Sequence, residues 1–139
     1  MNSIEVQGLT KTYPTFKLDQ ASMTLPQGYI MGFIGENGAG KTTFLRTMLN
    51  LTNKEAGTIT LLGKDMETHE VDIKEEIGFM SGDSIFFPKA KLSSITKAFR
   101  LFYKHWDHEL YQKYLSDFKL DETKKISELS QGMRIKYSL

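Results

Sequence analysis

The clearest chemical signal in the sequence is the pattern G-x-x-x-x-G-K-T, which occupies residues 35–42. Its glycines can adopt positive φ angles, so the backbone can curl around a polyphosphate and point successive amide N–H groups into one concavity. Lys41 can reach the β- and γ-phosphates, and the hydroxyl of Thr42 can ligate the Mg²⁺ that accompanies them. The pattern therefore predicts binding of a nucleoside triphosphate with Mg²⁺, and Lys41 is the candidate catalytic residue. The predicted binding residues of this loop are Gly35, Glu36, Asn37, Gly38, Ala39, Gly40, Lys41, Thr42 and Thr43.

The segments on either side of this loop are the ones that such a site requires. Residues 29–34 form a nearly continuous apolar run, which predicts a buried parallel strand. Phe44, Leu45, Met48 and Leu49 would lie on one face of a following helix. Strand, glycine-rich loop and helix together place a helix N-terminus against the phosphates. A chance glycine-rich turn is the alternative, and the agreement of pattern and context disfavours it.

The rest of the first half reads mainly as strands. Residues 3–9 and 16–25 have strand character, and residues 58–62 form a β-rich run closed by a glycine. Residues 71–76 are predicted to form a short helix, and residues 77–80 a short strand. We therefore expect an antiparallel layer beside a parallel α/β core.

The second half has the spacing of helices. One apolar series is followed by another behind Asp107, which can serve as a helix N-cap, and a third helix would begin at Ser130. We expect the aromatic side chains of both series to pack in a core rather than to bind a ligand. We predict two domains, residues 1–83 and residues 84–139, the second being a helical subdomain. The two series are Leu92, Ile95, Phe99, Phe102 and Trp106, then Leu110, Tyr111, Tyr114, Leu115 and Phe118.

Composition narrows the possible functions. The 139 residues suffice for one domain with a modest core, and the net charge of +1 offers no electrostatic case for a nucleic-acid partner. The absence of cysteine excludes disulfides, thiolate metal sites and cysteine nucleophiles, and fits a cytosolic protein. No apolar run approaches the length of a membrane span, so we expect no direct insertion into a membrane.

A second motif, Leu-Ser-Gln-Gly-Met, occupies residues 129–133. Ser130 can cap the helix that follows, and Gly132 would let a phosphate approach the exposed N–H groups of its first turn. By itself, such a motif is weak evidence for phosphate binding, because any serine-capped helix looks similar. The evidence is much stronger when the motif follows a phosphate loop, with a helical segment between the two.

With both motifs in place, the chain resembles the nucleotide-binding subunits of ABC transporters. Residues 129–133 are similar to the family's LSGGQ signature, in an LSxGM form, and residues 106–129 are similar to the subclass paired with ABC-2-type permeases. Members of that subclass often export peptides, antimicrobials or drugs. The resemblance implies an α/β fold, namely an incomplete P-loop NTPase core with an N-terminal antiparallel β layer and a helical insertion subdomain.

The same resemblance implies the partners and the shared site. ATP and Mg²⁺ would be held between two ATPase subunits, identical or different, with Ser130 and Gly132 of one subunit reaching the γ-phosphate held by the other. A transmembrane permease subunit would be driven by closure of this dimer. The protein would be cytoplasmic and peripheral on the inner face of the cell membrane through its permease.

Three further residue assignments follow from the resemblance. Tyr13 occupies the place of the family's adenine-stacking aromatic residue, and the alternative is a turn tyrosine packed on Pro14. Asp83 stands near the family's metal-contacting glutamine and is the candidate Mg²⁺ ligand, since carboxylate oxygens suit that ion; a solvated turn aspartate is the alternative. Phe86 and Phe87 would receive the permease's coupling helix, and the alternative is that they belong to the core.

The sequence also departs from the family. It stops at Leu139, inside the predicted signature helix, and no apolar strand ending in Asp-Glu and no switch histidine follow Ser130. We therefore expect the chain to bind nucleotide but to hydrolyse it poorly or not at all. We also expect the open edge of residues 29–34 to pair with another copy. A truncated non-catalytic regulatory module and a soluble non-transport ABC ATPase are the alternative functions.

Overall fold

A computed structural model describes residues 1–80 and 87–139, and the chain divides into two compact units, Met1–Glu76 and Ile77–Leu139. The predicted domain boundary between residues 83 and 84 lies outside the described residues and stays a prediction. The first unit contains the phosphate-loop pattern, and the second contains the signature-like motif. Each unit has its own buried apolar residues.

A four-stranded antiparallel sheet is the largest regular structure of the first unit. Its strands are β1 (Asn2–Tyr13), β2 (Phe16–Pro26), β3 (Ala56–Leu61) and β4 (Lys64–Asp65), in the order β2-β1-β3-β4. The hairpin between β1 and β2 is tight, because Tyr13 pairs directly with Phe16. The predicted N-terminal antiparallel layer is confirmed, with strands longer than expected.

Two helices accompany this sheet, α1 (Lys41–Met48) and α2 (Glu70–Glu76). Each of these two helices buries apolar side chains on one face, as periodicity predicts, although Val71 of α2 is 70% exposed. The buried apolar side chains of the unit are Val6, Leu9, Leu18, Phe44, Met48, Leu49, Ile59, Leu61, Met66 and Ile73.

The expected parallel strand at residues 29–34 is not formed, and this prediction is wrong. The segment has no regular secondary structure, and no described strand pairs with it; Ile30 and Ile34 are almost fully exposed. A strand requires a neighbour to satisfy its backbone N–H and C=O groups, and apolar character alone does not supply one. The segment contacts α1 through Phe33, whose ring centroid lies 5.4 Å from that of Phe44. Residues 77–80, also predicted as a strand, likewise have no regular structure.

The second unit is helical, as expected. Its helices are α3 (Leu92–Phe99), α4 (His108–Asp117) and α5 (Gln131–Ser138), with a short 3₁₀ helix at Ile126–Glu128. The predicted N-cap is present, because Asp107 accepts a hydrogen bond of 2.9 Å from the backbone N–H of Leu110. The core consists of Leu92, Ile126 and Leu129, with Ile95, Leu120, Met133 and Tyr137 packed against it.

The predicted packing of the aromatic side chains in this unit is only partly correct. Phe99 and Phe102 are 46% and 73% exposed, and α3 ends before Phe102. Tyr114 is also exposed, whereas the aliphatic Leu92 and Leu115 are buried. Helical spacing places residues on one face, but burial requires a partner surface against that face.

Candidate nucleotide-binding site

The N-terminus of α1 is built to receive an anion. Its N-cap, Gly40, has a φ of 93°, no side chain caps the helix, and its first turn contains no acidic residue. The helical ladder begins with the N–H of Phe44 donating to the carbonyl of Gly40 at 2.8 Å. The preceding N–H groups have no acceptor within the helix, and the positive end of the helix dipole lies with them. A phosphate at this position would accept hydrogen bonds from these N–H groups and would be attracted by the positive end of the dipole.

The loop before α1 closes around its own lysine. Lys41 Nζ donates hydrogen bonds to the carbonyl oxygens of Gly35 at 2.5 Å and Glu36 at 2.7 Å. The N–H of Ala39 donates to the Glu36 carbonyl at 3.2 Å and closes the turn. The ammonium group is therefore held against the backbone at the start of the loop, within the segment predicted to bind a polyphosphate.

The glycines of the loop leave the space that a triphosphate needs. A Cβ on Gly35 would meet Ala39 Cβ at 3.6 Å and Lys41 Cδ at 3.7 Å, so a side chain there would narrow the loop. Gly38 has a φ of 87°, and nothing lies within 4 Å of the position of its Cβ. Thr42 is exposed beside them, with its hydroxyl available to a Mg²⁺ that arrives with the phosphates. The residues present fit Mg·ATP.

The loop and the β1–β2 hairpin share one cleft of about 680 Å³. Tyr13, a residue that is 40% exposed, thus lies in the same cleft as the predicted phosphate-binding residues. The cleft is lined by Tyr13, Pro14, Thr15, Phe16, Asn37, Gly38, Gly40, Lys41, Thr42 and Thr43.

Phe16 is a site residue that the sequence motifs did not reveal. Its half-buried ring packs against the loop, since a Cβ on Gly40 would stand 2.5 Å from Phe16 Cζ. The signal was present in the hairpin, because a two-residue turn after Tyr13 pairs Tyr13 with Phe16 and places both aromatic residues at the same end of the sheet.

The strand end before Tyr13 is held by Glu55. The Glu55 carboxylate accepts hydrogen bonds from the Thr12 backbone N–H at 3.0 Å and from the Thr12 hydroxyl at 2.8 Å. These two bonds, the hydroxyl bond being the stronger cause, lower the pKa of the Glu55 carboxyl below its usual 4.5. Glu55 is therefore a stable anion at neutral pH.

The signature-like motif caps α5. Ser130 Oγ accepts a hydrogen bond of 3.2 Å from the N–H of Met133, and nothing lies within 4 Å of the position of a Cβ on Gly132. Arg134 Nε donates to the carbonyl of Leu129 at 3.1 Å, behind the cap. Ser130 and Gly132 are both exposed, and they belong to the second unit.

The remaining predicted residues are placed as follows. Asp83 and Phe86 lie outside the described residues, and Phe87 is 80% exposed. Across residues 1–80 and 87–139, no group of three or more histidine, aspartate or glutamate side chains could hold a metal ion. None of the helices in these ranges has the length and apolar character needed to cross a bilayer.

Comparison with known proteins gives one consistent family. The sequence profile of the ABC transporter family matches residues 18–139. The ATP-binding protein YtrB of Bacillus subtilis is 31% identical over 137 residues, which cover 98% of this chain and 47% of that protein. The sulfate/thiosulfate import ATP-binding protein CysA of Bordetella pertussis is 38% identical over 80 residues, 56% of this chain and 22% of that protein.

The fold agrees with these matches. The solved structure of an ATP-binding subunit of an ABC transporter superposes with a TM-score of 0.83 at 20% identity, over 97% of this chain and 59% of that one. The antiparallel sheet, the phosphate loop with α1 and the helical unit form an incomplete P-loop NTPase fold. The chain spans about half the length of YtrB. On its sequence and its fold, this chain belongs to the ABC transporter family.

Proposed function

We propose that the chain is the ATP-binding part of an ABC transporter ATPase. The observation that carries this proposal is the cleft that brings Tyr13 together with the phosphate loop. Lys41 and the free amides of α1 bind the β- and γ-phosphates, Thr42 ligates Mg²⁺, and Tyr13 stacks on adenine. The bound Mg²⁺ neutralises phosphate charge, and Asp83 is a further candidate ligand for it.

The proposal includes a second ATPase subunit, identical or related. Ser130 and Gly132 of one subunit contact the γ-phosphate held by the loop of the other, so that the dimer closes on ATP. The exposure of both residues and the open space at Gly132 support this role. Closure drives a transmembrane permease, at which Phe87 is a contact, and places the protein on the cytoplasmic face of the membrane.

Export is the proposed direction of transport, with a peptide, antimicrobial or drug as the class of substrate. The LSxGM form of residues 129–133 supports export, while the similarity to an import protein such as CysA argues for testing it. We expect a gene for a multi-span membrane protein to lie beside the gene for this chain. Cells that lack both genes should accumulate the transported substrate.

Slow hydrolysis by these 139 residues is part of the proposal. Phosphoryl transfer to water requires a group that orients the water, and none of the described residues that line the cleft is a carboxylate that could do so. We expect Mg·ATP to bind stoichiometrically while phosphate release stays close to the uncatalysed rate. Rapid phosphate release that Lys41→Met abolishes would contradict this.

The binding step is tested by calorimetric titration with Mg·ATP. Lys41→Met should weaken the binding at least tenfold, because the charge over the loop is lost while the aliphatic stem remains. Tyr13→Ala should weaken it about fivefold, the lower end of what base stacking contributes. Lys74→Met, which removes a half-buried lysine of α2 outside the cleft, is the matched control and should leave the affinity unchanged. Unchanged affinity in Lys41→Met would contradict the proposed site.

The shared site is tested by light scattering with Mg·ATP and without nucleotide. The wild-type chain should gain mass with Mg·ATP. Gly132→Asp should not, because the new carboxylate repels the γ-phosphate, whereas the open space around Gly132 lets the fold accept it. Gln112→Asp adds the same charge to an exposed position of α4 and serves as the control. Equal association of all three chains would refute a role for residue 132.

A further inference from the structure

The turn that presents Tyr13 to the cleft is clamped by a residue distant in sequence. Glu55 binds Thr12 through both carboxylate oxygens, at 3.0 Å to the backbone N–H and 2.8 Å to the hydroxyl, across a separation of 43 residues. The N–H of Glu55 also donates to the carbonyl of Thr10 at 2.9 Å. Three hydrogen bonds thus connect Glu55 to the end of β1, and Tyr13 is the last residue of that strand.

A lysine extends this connection to the aromatic ring. Lys11 Nζ lies 3.9 Å from Glu55 Oε1 and 5.7 Å from the centroid of the Tyr13 ring. A cation over the face of a tyrosine ring is attracted to it, and the carboxylate keeps the cation in place. The Lys11 side chain is 19% exposed, which limits the positions that its ammonium group can take. Lys11 covers one face of the ring, so the base would stack on the other.

The close approach of β3 to β1 places Glu55 within hydrogen-bonding distance of Thr12. Thr10 pairs with Ala56 at the start of β3, and Gly57 has a φ of 100°. A Cβ on Gly57 would stand 2.7 Å from the carbonyl oxygens of Gln7 and Gly8, so only glycine lets β3 come this near to β1. Glu55 is thereby brought beside Thr12.

We propose that Glu55 is a positioning residue for the nucleotide base, acting through Thr12 and Lys11 on the ring of Tyr13. This inference rests on the proposed function, because it presupposes that Tyr13 stacks on adenine. It adds that recognition of the base depends on a residue that lies outside the cleft and touches no part of the nucleotide.

The test compares two probes, Mg·ATP and Mg²⁺ with inorganic tripolyphosphate, by calorimetry on the 139-residue chain. Both probes engage the phosphate loop, and only ATP carries a base. Glu55→Ala should weaken ATP binding about fivefold, the loss also expected of Tyr13→Ala, and should leave the affinity for tripolyphosphate unchanged. The double variant Tyr13→Ala/Glu55→Ala should bind ATP no more weakly than Tyr13→Ala alone, because both changes remove the same interaction.

Glu55→Gln provides a second variant that keeps the shape of the side chain, and it should show a smaller loss in the same direction. Glu70→Gln is the control, because Glu70 also forms an ion pair with a lysine, Lys74, but lies on α2 and does not line the cleft. Full additivity in the double variant, an equal loss for both probes, or no loss in Glu55→Ala would each overturn the role of Glu55. Failure of the wild-type chain to bind either probe would overturn the proposed function, and the role of Glu55 with it.

Discussion

The ring of Phe16 lies against the backbone of Gly40, at the junction between the first hairpin and the phosphate loop. A Cβ on Gly40 would stand 2.5 Å from Phe16 Cζ and 3.3 Å from Phe16 Cε2. Gly40 is also the N-cap of α1, with a φ of 93°. One residue therefore meets two requirements, a left-handed backbone and contact with an aromatic ring, and only glycine meets both.

Gly40→Ala should consequently weaken the binding of nucleotide. We expect at least a tenfold loss of Mg·ATP affinity, because alanine is strained at this φ and either the loop or the ring of Phe16, both of which line the cleft, must shift. The measurement is calorimetric titration, with Gly32→Ala as the control, since nothing lies within 4 Å of the position of a Cβ on Gly32. Equal affinities of the two variants would show that the loop tolerates the displacement.

Gly57 and Gly63 form a matched pair for testing backbone approach in the sheet. Both have a positive φ, but a Cβ on Gly57 would meet the backbone of Gln7 and Gly8, whereas one on Gly63 would meet only the flexible end of Met1 at 2.8 Å. Gly57→Ala should lower the free energy of unfolding by about 3 kcal/mol. Gly63→Ala should lower it by about 1 kcal/mol.

Urea unfolding followed by circular dichroism measures both changes. The difference between the two variants isolates the backbone clash, since the cost of a positive φ is common to them. A smaller loss for Gly57→Ala than for Gly63→Ala would contradict the close approach of β3 to β1.

Tyr137 should make the helical unit sensitive to high pH. Burial is the main cause that raises the pKa of the Tyr137 hydroxyl from 10.0 to about 12. The hydroxyl also donates to the carbonyl of Leu92 at 2.9 Å and lies 2.9 Å from Thr96 Oγ1. Because the folded state holds the proton more tightly, this stabilisation is complete below pH 10 and is lost as the pH rises towards about 12.

The measurement is urea unfolding of the wild type and of Tyr137→Phe, followed by the fluorescence of Trp106, the single tryptophan, which lies in the same unit. Tyr137→Phe should be less stable than the wild type near neutral pH, where two hydrogen bonds are lost. The gap should narrow above pH 10. A gap that stays constant up to pH 12 would mean that Tyr137 does not titrate as its burial requires.

The N-cap of α4 gives a fourth prediction. Asp107 accepts a hydrogen bond from the N–H of Leu110, so Asp107→Ala should lower the free energy of unfolding by about 1 kcal/mol. Asp117→Ala, at the other end of α4, should have little effect or a slightly stabilising one, because a carboxylate is unfavourable near a helix C-terminus. Trp106 fluorescence in urea reports both, and equal losses would contradict the capping role.

Local sequence patterns by themselves determine much of this protein. The phosphate-loop pattern fixes its own glycines and Lys41, and the caps at Asp107 and Ser130 follow from short-range chemistry that the structure confirms. The first hairpin is predictable in part for the same reason, since strand-forming residues on both sides of a turn indicate its two strands. Its exact pairing is not predictable in this way, because the register of β1 against β2 shifts at three places. Each of these features depends only on residues close together in the chain.

Only the tertiary structure determines the features that depend on contacts between residues far apart in the chain. Residues 29–34 have the composition of a buried strand, yet no described strand pairs with them and they form none. Phe102 has helical spacing, yet it lies beyond α3 and is exposed. The contact of Phe16 with Gly40 and the clamp of Glu55 on Thr12 join segments that are far apart in sequence. Periodicity specifies which face of an element is apolar, and only the assembled fold provides the surface or hydrogen-bonding group that meets it.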